Sequence, residues 1–149
     1  MSDNWLQLIP ADPVFRPEVQ AAADARTLLA SFLPEADEVS ASFKESVEFF
    51  EGGGNWSGVM CPACGADAEA WWDQAMNKAH AGGFSDLMAT ADCCGASVSL
   101  NELRYVWPAA FGSFCLEAMN PNVSELPAAV LRQLEKVLGT PLRALWMQV

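Results

Sequence analysis

The chain has 149 residues, 52% hydrophobic and 18% charged, a make-up that gives one globular domain and excludes a disordered polyelectrolyte. Eight Lys and Arg stand against nineteen Asp and Glu, a net charge of −11. That balance argues against a nucleic-acid partner and against an anionic membrane surface, since both are gripped mainly by Lys and Arg, and it allows a basic protein partner. Lys44, Lys78 and Lys136 all lie outside any glycine-rich loop, which excludes a P-loop nucleotide hydrolase. No segment is apolar for the ~20 residues a bilayer span requires. The start, Met1-Ser2-Asp3-Asn4, lacks the basic and apolar regions of a secretory signal, so a cytoplasmic location is expected. In that reducing setting an odd number of cysteines, five here, points to metal or redox chemistry rather than a disulfide framework.

In chain order, Trp5 to Ile9 reads as a strand closed by Pro10, Asp12 and Pro13. Pro17 opens a helix over about 18–32, with an apolar stripe of Val19, Ala22, Ala25, Leu29 and Phe32, and Pro34 ends it. Val39, Ala41, Phe43, Val47 and Phe49 then alternate with polar residues, and only Glu45 breaks the inward set. This predicts a half-wet edge strand, stopped by Gly52-Gly53-Gly54.

Residues 55–108 hold four of the five cysteines, four of the six tryptophans and the only His. They read as a short strand (57–60), a helix (about 68–79), a short strand (87–91), another (97–100) and a turn of helix (101–105). Trp72, Ala75, Met76 and Ala79 have helical spacing and suit a core; Trp71, next to Trp72, points elsewhere, and one of the two is expected at a domain or subunit contact. After Pro108 come a strand (111–118), a helix capped by Ser124 and stopped by Gly139, and a closing strand (142–149) whose two faces are both apolar.

Strand, Asp12-Pro13, helix, Pro34, strand at the start matches strand, Asn120-Pro121, helix, Gly139-Thr140-Pro141, strand at the end. Two such units in series predict an α+β fold of β-α-β-β-α-β order, the split βαβ ferredoxin-like plan. The expected organisation is a single domain: a core from 1–54 and 109–149, with residues 55–108 inserted between the second and third strands as a Cys-rich, zinc-ribbon-like module. Helices would cover one sheet face; the insertion or a second subunit must cover the other.

Cys61-Pro-Ala-Cys64-Gly65 has the form of a metal knuckle: two thiolates grip one ion while the glycine lets the backbone turn back. Cys93-Cys94-Gly95 repeats the Cys-Gly ending, but a second regular knuckle would need a cysteine where Ala91 stands. Cys93 must then supply the fourth thiolate of an all-sulfur site; His80, Asp92 or a water are the alternatives. The 28 residues between Cys64 and Cys93 exceed the usual ribbon spacing because a helix lies inside them. The reading is one structural zinc ion per chain on Cys61, Cys64, Cys93 and Cys94; iron would use the same cysteines. No catalytic residue is assigned. A thiol oxidoreductase with Cys61 as nucleophile and Cys64 as resolving thiol is the alternative. His80, at a helix end, suits the carbonyl end of the dipole better than a metal. Cys115, in an apolar strand, suits the core.

Cys61–Gly65, the run Cys93–Phe111 (Cys-Cys-Gly-x-Ser-x-Ser-Leu-Asn-x-Leu-x-Tyr-x-Trp-Pro-x-x-Phe), Asn120-Pro121 and Leu138–Arg143 together resemble a family of small uncharacterised bacterial proteins. Some of its members carry a sugar-transporter ATPase label, which the missing P-loop contradicts here. The resemblance implies that Cys93 and Cys94 share one site with Cys61 and Cys64, and it implies no reaction. The function expected is a non-enzymatic zinc-binding protein that meets a protein partner, a basic toxin-like protein or a second copy, through its free sheet face.

Overall fold

The computed structural model describes residues 3–149; Met1 and Ser2, read above for a leader, lie outside the described residues. In chain order the elements are β1 (Asn4–Pro10), α1 (Val19–Phe32), β2 (Glu38–Phe50), β3 (Val59–Met60), α2 (Glu69–Ala81), β4 (Met88–Thr90), β5 (Ser97–Ser99), a 3-10 turn (Leu100–Glu102), β6 (Arg104–Tyr105), β7 (Ala110–Met119), α3 (Ala128–Leu138) and β8 (Leu142–Gln148). The fold is α+β. Four long strands form one antiparallel sheet in the order β2-β7-β1-β8, and β3-β6 and β4-β5 make two small ladders.

Alternation explains the main sheet. Leu6 and Leu8 of β1, with Phe114, Leu116 and Ala118 of β7, point to one face. There they meet Ala22, Ala25 and Leu29 of α1 and Val130, Leu134 and Leu138 of α3. The expected α1 stripe is narrower than its spacing suggested. Val19 is 78% exposed and Phe32 38%, because only the middle of the helix lies over the sheet. Ser124 does not cap α3 either. Pro127 bars the α conformation from the residue before it, so the helix starts at Ala128 with an extended Pro127 at its cap position.

β2 is an edge strand, and Glu45 marks a real break. Phe43 pairs with Phe114, yet the next paired residue, Glu48, faces Gly112, so the register slips between them. The slip exchanges faces. Val39 and Ala41 pack with the helix-side core, whereas Val47 and Phe49 pack with the cysteine-bearing segment. Arg16 stitches the slip by donating to Lys44 O (2.6 Å) and Ser113 O (3.3 Å), its guanidinium 5.2 Å from the Phe43 ring centroid.

Beyond the slip, Phe49, Phe50 and Ala110 lie against Ile9, Cys115 and Leu145 on the face opposite the helices. The approach is close at Gly112, where a Cβ would lie 2.5 Å from Ile9 Cγ2. The residues a second subunit would cover, Ile9, Cys115 and Leu145, are therefore buried within the chain itself. The outer edge of β8 is closed as well. Gln148 N–H donates to Gly52 O (3.1 Å) and Gly54 N–H to Gln148 O (2.8 Å), while Asn55 Nδ2 and Trp107 Nε1 both donate to Trp146 O (3.2 and 2.7 Å).

Asn101 ties the cysteine-bearing segment to the sheet. It is 4% exposed and fully engaged. Its Nδ2 donates to Ala11 O (3.1 Å), its Oδ1 accepts from Phe111 N–H (3.1 Å) and Arg143 Nη1 (3.0 Å), and its carbonyl accepts from the same Nη1 (2.7 Å). Arg143 also pairs with Glu102 at 2.8 Å. Residues 104–105, expected within a helical turn, instead form β6 and pair with β3, which closes the base of the first cysteine turn.

Candidate metal centre

Two turns of the same construction carry the cysteines. In the first, Gly65 N–H donates to Cys61 O (2.9 Å) and Cys61 N–H to Ala66 O (2.8 Å). In the second, Gly95 N–H donates to Ala91 O (2.6 Å) and Ala91 N–H to Ala96 O (2.9 Å). Each needs a left-handed residue at its end, supplied by Gly65 (φ 77°) and Gly95 (φ 75°). Superposed by these bonds, Ala91 takes the place of Cys61, Cys94 that of Cys64, and Cys93 that of Ala63. The second turn thus keeps the knuckle's backbone but moves one of its thiols two places along.

The displaced thiol still reaches the site. The sulfurs of Cys61, Cys64, Cys93 and Cys94 all lie within 4.8 Å of one another, with Cys64 to Cys93 at 3.4 Å and Cys61 to Cys94 at 3.9 Å. A tetrahedron of thiolates about 2.3 Å from a zinc ion has edges of about 3.8 Å, so the spacing suits a shared ion. Both short pairs are far outside disulfide length, and all five cysteines are free. The four residues could hold a metal ion. Among the described residues no histidine or carboxylate joins the group. His80 sits exposed on the last turn of α2, its ring edge-on to Phe84 at 5.4 Å, and Asp92 stays outside the sulfur group.

The environment separates the thiols. Backbone N–H groups of Cys64 and Ala63 point at the Cys61 sulfur and lower its pKa to about 7, against the opposing effect of burial. The Cys93 thiol is pushed up to about 12, chiefly by its hydrogen bond with Cys64, with local desolvation of an otherwise exposed residue second. At Cys94 the Ala96 amide favours the thiolate, but burial and the neighbouring thiols outweigh it and the pKa rises. Among these effects, only Cys61 and Cys94 draw support from backbone amides. Cys115 is a core residue; burial, with Glu117 beside it, holds its thiol well above the ordinary value.

Accessibility runs against thiol exchange. Cys61 is fully buried, while Cys64, Cys93 and Cys94 are exposed. The helix after the first turn begins only at Glu69, so neither Cys61 nor Cys64 sits on a helix N-terminus, the placement that would lower a thiol pKa for exchange. The adjacent tryptophans divide the space. Trp72 lies among Trp56, Phe49 and Tyr105 (ring centroids 5.1, 5.9 and 6.5 Å) and joins α2 to β2. Trp71 is buried in one cluster with Cys61, Ala68 and Ala91, at the base of both turns.

Asn101 and Trp71 are the two site-supporting residues that sequence reasoning passed over as such. The only local signal for Asn101 was its place in a polar pair, Asn101-Glu102, between the apolar Leu100 and Leu103. Compared with protein-family models, with curated proteins and with solved structures, the chain matches none of them.

Proposed function

We propose that this chain binds one zinc ion through Cys61, Cys64, Cys93 and Cys94, and that the ion is structural. The observation that carries this is the convergence of four sulfurs, from two turns 28 residues apart, to within 4.8 Å. Four protein ligands leave no open position for a reacting water, which favours a cross-link over catalysis. All-sulfur tetrahedral ligation suits zinc, whose binding would supply the folding energy that such short ladders lack.

The strand order β2-β7-β1-β8, with α1 and α3 packed on one face, supports reading the core as a split βαβ, ferredoxin-like sheet. We read residues 55–108 as its zinc-ribbon-like insertion. The task we attach to it is contact with a protein partner, which the net charge of −11 and the absence of an open catalytic position favour. Since Ile9, Cys115 and Leu145 are already covered, the partner would meet the acidic exterior.

The deciding experiment is elemental analysis of untagged protein purified without chelator. One zinc per chain is expected. Five titratable thiols and no metal would overturn the reading; one iron per chain would keep the ligands and replace the ion.

A further inference from the structure

The out-of-place ligand has a counterpart in the structure. Trp71 is 5% exposed, and its indole N–H finds no hydrogen-bond partner. Leaving such a donor unpaired costs on the order of 1–3 kcal/mol, so a buried orphan calls for an acceptor. Trp71 stands in the first turn of α2, which follows the first cysteine turn directly. Its amide is anchored on Ala68 O (3.2 Å), and side chains on a helix lean back toward its start. That lean places the ring at the base of both knuckles, in one cluster with Cys61 and Ala91. The indole N–H is directed toward Cys93. A neutral thiol is a weak acceptor, whereas a metal-bound thiolate is a strong one.

We propose that Trp71 is a positioning residue, whose buried, otherwise unpaired indole N–H donates to the metal-bound sulfur of Cys93. Cys61 and Cys94 receive such bonds from the backbone of their own turns. Cys93, two places out of the regular knuckle position, receives its bond from a side chain on the helix between the turns. The indole thus fixes a thiolate to which the backbone of its own turn gives no amide. This inference rests on the metal-site reading above.

The test uses the full chain loaded with zinc or cobalt(II). Trp71→Phe keeps the ring and removes the donor. Its metal affinity, measured by chelator competition, is expected to fall by about 10- to 100-fold, the usual cost of losing an outer-shell partner. The thiolate-to-cobalt charge-transfer band should move to longer wavelength, a shift that lost packing alone would not give. Trp72→Phe, whose native N–H donates to Tyr105 Oη at 3.4 Å, should leave the band unchanged. Wild-type affinity with an unmoved band in Trp71→Phe would overturn the proposal while leaving the metal site standing. A wild-type chain that takes up no metal overturns both. Should Trp71→Phe fail to fold, the wild-type chain loaded with cadmium-113 decides. A Trp71 indole proton coupled to the metal through sulfur supports the bond, and one that exchanges freely with solvent overturns it.

Discussion

The two halves of this molecule are held together by different means. The sheet with α1 and α3 has strands of 7 to 13 residues and buries Leu6, Leu8, Phe114, Leu116 and Leu134 completely. The cysteine-bearing half has ladders of two and three residues, and its buried cluster mixes Cys61, Ala68, Ala79 and Ala91 with Trp71, Phe84, Leu100, Leu103 and Phe111. Burial of apolar area, at about 25 cal/mol per Å², is what holds the first half, whose largest side chains are fully buried. Ladders so short present too few paired residues to persist alone. Stability in the second half therefore depends on what joins its two turns, and the four converging sulfurs are the candidates.

Removing the metal tests that contrast most severely. On zinc-loaded protein, excess chelator should abolish amide protection over residues 57–106 while protection in β1, β7 and α3 persists. Loss of protection everywhere would show the halves to be one cooperative unit. Unchanged protection would show that the cluster contributes no stability. A smaller effect is expected from Phe114→Ala. That side chain is fully buried, with its ring 5.0 Å from that of Phe43, and truncation should lower the unfolding free energy by about 3–5 kcal/mol. Denaturant titration measures the loss, and the folded fraction should still bind one metal ion per chain.

Asn101→Ala acts on the seam between the halves. It strips partners from the Phe111 amide, the Ala11 carbonyl and the Arg143 guanidinium at once. A loss of about 3 kcal/mol is expected, from 1–3 kcal/mol for each buried group left unpaired with part recovered by water. The same titration reads it. A cost below about 1 kcal/mol would mean that the halves meet without needing this residue.

The sequence stated some of this contrast openly. Period-two alternation marked the long strands, because a sheet face enforces it, but it gave residues 39–49 one inward face; Glu45 showed only as a break in that set, and the exchange of faces at the slip left no sign in the period. Cys61, Cys64, Cys93 and Cys94 announced their grouping through chemistry, and Ala91 announced that the second turn is irregular. Asn101 and Trp71 gave no comparable signal. Their roles come from what the chain brings to them across the fold, the 90 positions to Ala11 in one case and the second turn in the other, and no local period encodes that. Val19 and Phe32 misled for the opposite reason: helical spacing was right, but the helix outruns the sheet that would bury its ends.

Arg16→Ala should give the smallest effect and the finest test of the sheet half. The guanidinium bonds the carbonyls of Lys44 and Ser113, at the slip where β2 and β7 cease to pair, yet the side chain is exposed. A charge-assisted bond of this kind contributes 1.5–3 kcal/mol when dry, and water can replace much of it at an exposed site, so about 1 kcal/mol is expected. Both bonds leave the one Nη1, so Arg16→Lys, whose ammonium also carries several donors on one nitrogen but lacks the planar group beside Phe43, should recover part of the loss. Amide chemical shifts over residues 43–48 should move while those of β1 and β8 stay fixed. If the shifts spread further, to Phe49 and the cysteine turns, the slip transmits strain between the halves, and the face exchange at Glu45 couples what the packing otherwise keeps apart.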